Sequence, residues 1–144
     1  FKPDAVFVDG GGVGGGVVDR LHQLHYRVTE VQSGEKASDE ERFLNRRVEM
    51  WSAMREWLVY GAIDNNERLI DDLTGPEYSV VLKGQTKLES KESMKKRGLP
   101  SPNDGDALAH TFAAPVARLD SALSKMRNRM QGMVADSDYD VFST

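Results

Sequence analysis

The sequence contains no cysteine, which removes disulfides, thiolate zinc sites and cysteine nucleophiles together. Histidine is scarce as well: His22, His25 and His110 are the full set, and they show no zinc-ligand spacing. A metal bound here would be a hard cation on carboxylate oxygens. Long apolar runs are missing. None approaches the ~20 residues of a membrane span and no signal peptide is visible, so the chain reads as a soluble intracellular protein. A large net charge is also lacking. The balance is −4, which argues against wholesale coating of nucleic acid but leaves room for local patches.

What is present is a chain of 144 residues. One domain of that size buries roughly 70% of the surface its unfolded chain exposes, enough for a core without staples. The sequence begins at Phe1 rather than Met, and reads as a piece of something longer, cut just upstream of a strand. Ala5 to Val8 is a short apolar run that predicts a buried strand, and Val17, Val18, Leu21 and Leu24 recur at helical spacing. Tyr26 to Val31 is a second strand, so the three make a parallel βαβ unit. Phe43 to Tyr60 predicts an amphipathic helix with Met50, Trp51, Met54, Trp57 and Leu58 inward and Gly61 as its left-handed cap. A shorter helix follows over Asn65 to Leu73, and then a hairpin from Tyr78 to Leu88 with Gly84 in its turn. Ser101 and Pro102 open a further helix as cap and first residue. Pro115 begins a last one, whose seam is Val116, Leu119, Leu123, Met126 and Met130, followed by an acidic tail from Asp136.

Six glycines crowd the seven positions after Asp9. Gly10, Gly12 and Gly15 satisfy G-x-G-x-x-G between a strand and a helix, with Glu30 twenty residues beyond Gly10, the pattern of a dinucleotide-binding turn. Asp9 speaks against it, because a carboxylate at the strand end aims negative charge where a pyrophosphate would sit on the helix N-terminus. Too few strands follow for a complete dinucleotide sheet. A blander reading is a tight turn with Asp9 capping the helix. Asp9 has company, however: Asn103, Asp104 and Asp106 lie in the opening turns of the Ser101 helix, and Asn103, Asp106 and His110 share one face. Carboxylates on two separate elements suit a divalent ion held between them. Acids also favour helix N-termini for their own sake, and Asp104 stands where a capping-box acid belongs.

Four blocks, Val6 to Leu21, Asn45 to Trp51, Leu88 to Gly98 and Ser101 to Ala109, together resemble in order the C-terminal nuclease domain of the large terminase subunit of tailed bacteriophages. The resemblance implies an α/β, RNase H-like (RuvC-type) fold with a central mixed sheet flanked by helices. It spans residues 1–114, with 115–144 as a C-terminal helix and tail. It also implies a metal-dependent endonuclease that cuts concatemeric double-stranded DNA during packaging with two Mg²⁺ or Mn²⁺ ions. The implied partners are the packaging ATPase domain of the same subunit, the portal or procapsid and the small terminase subunit, in the host bacterial cytoplasm and with no membrane. Of the family's three metal-binding acids, Asp9 matches the second and Asp106 the third. The first-strand acid has no counterpart, which is expected to leave the fragment weak or inactive. Where the family carries a further acid stands Asn103, which leaves two alternatives: Asp104 substitutes, or the position does not ligate.

Carboxylates alone can hold two ions that activate a water and neutralise a phosphate, so no histidine base is required, although His110 is placed to assist. Between Lys83 and Arg97, six basic residues against two acidic ones give a local charge of +4. If this stretch is helical, Lys87, Lys91 and Lys95 stack at four-residue intervals beside Lys96 and Arg97, forming a rail for phosphates. It contains no aromatic residue for reading bases. Trp51 and Trp57 read as core. The alternatives are a non-catalytic module that docks DNA or motor components, and a dinucleotide-binding domain.

Overall fold

The elements follow one another as β1 (Phe7–Asp9), α1 (Gly14–Gln23), β2 (Thr29–Val31), α2 (Arg46–Trp57), α3 (Glu67–Thr74), β3 (Tyr78–Val80), β4 (Thr86–Leu88), α4 (Lys91–Lys96) and α5 (Asn103–His110). The computed structural model describes residues 3–117. Ala5–Pro115 form one compact unit. The last helix, expected to begin at Pro115, is not formed at Pro115 to Ala117, and the rest of it and the acidic tail lie outside the described residues.

β1 and β2 pair in parallel, with Asp9 opposite Val31, as the βαβ reading requires. β3 and β4 form an antiparallel hairpin, with Tyr78 opposite Leu88. Gly84 takes φ +81° in the turn, a conformation that costs an L side chain roughly 1–2 kcal/mol. The described strands thus divide into a parallel and an antiparallel pair. On its other edge β4 makes a single parallel bridge, Phe43 to Thr86.

α2 organises the core. Asn45 caps it by accepting the Val48 N–H at 3.1 Å. Val48, Met50, Trp51 and Met54 are all buried, on more than one face of the helix, because α5 and β4 both pack on it. Burying each such side chain contributes about 1.5–3 kcal/mol. Trp57, expected inside, is 40% exposed, and Gly61 is not a left-handed cap. The Trp57 indole lies on Gly61, where an added Cβ would meet the ring at 2.5 Å, so a close approach explains that glycine. α1 has only Val18 buried, and Val17 and Leu24 are half exposed.

The polar stretch from Ser33 to Arg42 is tied down by Glu49. Its two oxygens accept the Ser38 and Asp39 N–H groups at 3.0 and 3.2 Å, while Arg46 pairs with it at 2.7 Å. Arg46 also donates to the Ala113 carbonyl, joining this loop to the end of α5.

Candidate functional site

Asp106 is the centre of the strongest polar cluster. It sits in the opening turns of α5, which packs against both α2 and β1, the strand that ends in Asp9. The residue is 9% exposed. Oδ1 accepts Arg47 Nε at 2.9 Å and Trp51 Nε1 at 2.9 Å, and Oδ2 meets Lys91 Nζ at 2.9 Å. Burial opposes the charge of this carboxyl, yet Arg47, by charge and by hydrogen bond, with Lys91 and Trp51, holds it below the ordinary carboxylate range. It is therefore ionised at neutral pH. Arg47 and Trp51 are one helical turn apart on α2, and the guanidinium lies 5.7 Å from the indole centroid. Arg47 spends a second donor on the Glu89 carbonyl at 3.0 Å. Its Nη2 is buried and meets no acceptor among the described residues.

α5 is held in register from outside. Pro102 occupies its cap position without a side-chain hydrogen bond, so Ser101 does not serve as the cap. Instead the buried Asp72 of α3 accepts the N–H groups of Asp104 and Gly105 at 2.7 and 3.2 Å. Gly105 has no side chain because Trp51 fills the space: an added Cβ would lie 3.0 Å from its Cη2.

Asp9 is exposed, and its Oδ1 accepts the Gly11 N–H at 3.1 Å. That local turn replaces the helix cap, and Val13 at the start of α1 has no side-chain cap. Gly14 packs its backbone against the Asp9 carbonyl, where an added Cβ would lie 1.7 Å from the oxygen. Gly10 lies under the side chains of Glu30 and Gln32, which hydrogen-bond to each other at 2.6 Å. A pyrophosphate approaching Gly10 would meet the Glu30 carboxylate, which removes the support for the dinucleotide reading.

No protein-family model and no curated protein matches the chain. Solved structures do. The nuclease domain of the large terminase subunit gp2 of bacterial virus Sf6 superposes with a TM-score of 0.63 and 24% identity, over 79% of this chain and 66% of that one. A K428A mutant of that domain with calcium gives 0.64 at 24% identity, over 78% and 66% of the two chains. The same mutant with manganese and beta-thujaplicinol gives 0.64 at 23%, over 79% and 66%. This chain has the fold of a phage large-terminase nuclease domain. That fold is RNase H-like, as the sequence led us to expect, and the chain spans about two thirds of the solved domains' length, 66%.

Within the terminase-nuclease fold the other expected residues scatter. Asp104 pairs with Arg68 of α3 at 3.1 Å. Positions two apart on a helix do not share a face, so it serves the α3 side while Asp106 serves α2. Asn103 is exposed at the helix start. His110 is buried, with Nε2 2.8 Å from the Ser33 hydroxyl, a link between α5 and the loop after β2. The lysine rail does not form as a single helical row, because Lys87 lies in β4 and α4 starts only at Lys91. Lys91 is committed to Asp106. Arg97 is committed to Glu77 at 3.0 Å and to Glu89. Its hydrogen bonds, then that of Ser93, pull the Glu89 carboxyl down to about 2. Arg47 and Asp72 escaped the sequence reading. Arg47 belongs to the second matching block, and its spacing of four from Trp51 was the available signal, whereas nothing local marks Asp72.

Proposed function

We propose that this chain is the DNA-cutting part of a phage packaging terminase, hydrolysing phosphodiester bonds in double-stranded DNA. The observation that carries the reading is the ionised Asp106, buried between Arg47, Trp51 and Lys91 on a helix packed against the strand that ends in Asp9, within a terminase-nuclease fold.

Asp9 and Asp106 offer the hard oxygens that Mg²⁺ or Mn²⁺ prefers. Among the described residues, however, no group of three or more potential ligands gathers, and both Asp106 oxygens already face cations. Asp9, Asp106 and a divalent ion fit together only if Lys91 leaves Oδ2, which its 48% side-chain exposure permits. Such an ion supplies Lewis acidity and a more acidic bound water. The residues themselves do the rest. Arg47 and Trp51 fix the orientation of Asp106, and Arg47 and Lys91 place positive charge where a phosphate would accumulate negative charge. Asp104, turned to Arg68, is outside the proposed set, and His110, engaged by Ser33, is not assigned the role of base. Lys87, Lys95 and Lys96 remain as phosphate contacts. The packaging ATPase, the portal, the small subunit and the host cytoplasm follow from the same reading.

A second reading, a DNA- or motor-docking module without chemistry, is favoured by the occupied Asp106 oxygens. Plasmid cleavage with Mn²⁺ or Mg²⁺ separates the two. The nuclease reading expects cleavage that is lost in the exposed, fold-neutral Asp9→Asn and in Asp106→Asn, with Mn²⁺ binding, measured by calorimetry, strengthened in Lys91→Ala. Cleavage is expected to be weak because the first-strand acid has no counterpart, so plasmid binding with neither cleavage nor calorimetric Mn²⁺ binding is the result that would leave only docking.

A further inference from the structure

Arg47, Trp51 and Arg55 recur at four-residue intervals along α2 and share one face. The first two hold Asp106. Arg55 lies eight residues beyond Arg47, about 12 Å along the axis, and four beyond Trp51, about 6 Å. There α2 and the β3–β4 hairpin leave an open groove of about 650 Å³. Its walls carry two guanidinium groups, each poised over an aromatic ring: Arg42 lies 4.9 Å from the Phe43 centroid and Arg55 lies 5.8 Å from that of Tyr78. Arg55 forms no ion pair among the described residues, and the pairing of Arg42 with Asp39 is long, at 3.9 Å, and exposed. Glu56 is the single acid among the lining residues.

We propose that this groove receives the phosphodiester backbone of the DNA duplex held at Asp106, with Arg55 and Arg42 contacting phosphates away from the cutting point. The inference rests on the nuclease reading. Along a duplex axis the 12 Å from Arg47 to Arg55 corresponds to about three to four base steps at roughly 3.4 Å each, so one strand running along α2 can meet both arginines. Each guanidinium lies over a ring that restrains it, and a guanidinium fork can meet phosphate oxygens in bidentate fashion. Contacts made to phosphates carry no sequence information, so binding in this groove is indifferent to base identity.

The test is binding of a labelled short duplex, followed by fluorescence anisotropy in chelator from about 50 to 200 mM salt. Wild type is compared with the double variant Arg42→Ala/Arg55→Ala and with Glu56→Gln. In the double variant the slope of log K against log salt should shrink by roughly 1.8, at about 0.9 per phosphate contact. Glu56→Gln, which removes the one repelling carboxylate, should bind more tightly than wild type. A double variant with the wild-type slope, in a wild-type protein that binds and cuts, overturns the groove and leaves the nuclease reading intact. A wild-type chain that neither binds nor cuts duplex overturns both.

Discussion

Asp72, on α3, accepts the backbone N–H of Asp104 at 2.7 Å and thereby caps the helix that carries Asp106. The same oxygen takes the Gly105 N–H at 3.2 Å. A helix N-terminus bears partial positive charge, so a carboxylate there satisfies orphan donors and the dipole at once. The cap also fixes how far α5 is rotated, and therefore which way Asp106 faces.

Replacing Asp72 with Ala should cost about 1–3 kcal/mol, since two buried N–H groups lose their acceptor. Urea unfolding measures it. Asp72→Asn, which keeps an acceptor oxygen, should cost less; equal losses in the two variants would show that charge rather than hydrogen bonding matters at this cap.

Stability should fall in acid through Asp106. Its folded-state carboxyl is held below the ordinary value, so its contribution is complete above the unfolded value of about 3.9 and is lost as pH drops below that. Asp106→Asn should be less stable at neutral pH by about 3 kcal/mol, because it strands the Arg47 charge. It should also show a flatter stability curve below about pH 4. An unchanged acid slope would assign acid unfolding to other groups.

Gly105→Ala should destabilise despite the roughly 1 kcal/mol that alanine gains over glycine inside a helix. The new methyl would stand 3.0 Å from Trp51 Cη2 and 3.3 Å from Asp72 Cβ, both on buried residues with little room to retreat. Overpacking of this kind costs about 1–3 kcal/mol. Trp51 fluorescence should shift with it, since the indole N–H is the one bonded to Asp106.

Glu89 should titrate near 2 by NMR, and Arg97→Met should move it up toward the ordinary carboxylate range. The sign follows from the depressed value: the stabilisation is complete above about pH 4.5 and disappears as pH falls toward about 2. A Glu89 titration unmoved by Arg97→Met would mean that Ser93 and the Glu77 N–H hold it instead.

Lys95→Ala/Lys96→Ala should lower duplex affinity and reduce the salt slope by up to roughly 1.8, at about 0.9 per phosphate. Arg97→Ala should change binding little, because Glu77 and Glu89 already hold its guanidinium. A larger effect from Arg97 than from the lysine pair would reverse this assignment.

Local chemistry was legible in the sequence. The glycine turn after β1, the parallel βαβ unit, the apolar spacing of α2 and the Gly84 hairpin depend on backbone preference and short-range periodicity, which neighbouring residues carry. The resemblance to phage terminases likewise rested on contiguous blocks, and the fold agrees with it. Partnership was not legible. Arg47 and Asp106 are 59 positions apart, and Asp72 reaches α5 across 32. Ser101 was a sound local cap, yet an acid from another helix took that role, because a buried carboxylate of α3 already faced the N-terminus of α5. The basic stretch looked like one rail until β4, α4 and Asp106 divided its lysines among a strand, a helix and an ion pair. Sequence determined which residues could carry charge, turn or pack; only tertiary structure decided which charges meet, because ion pairs form by proximity in space and proximity is set by packing.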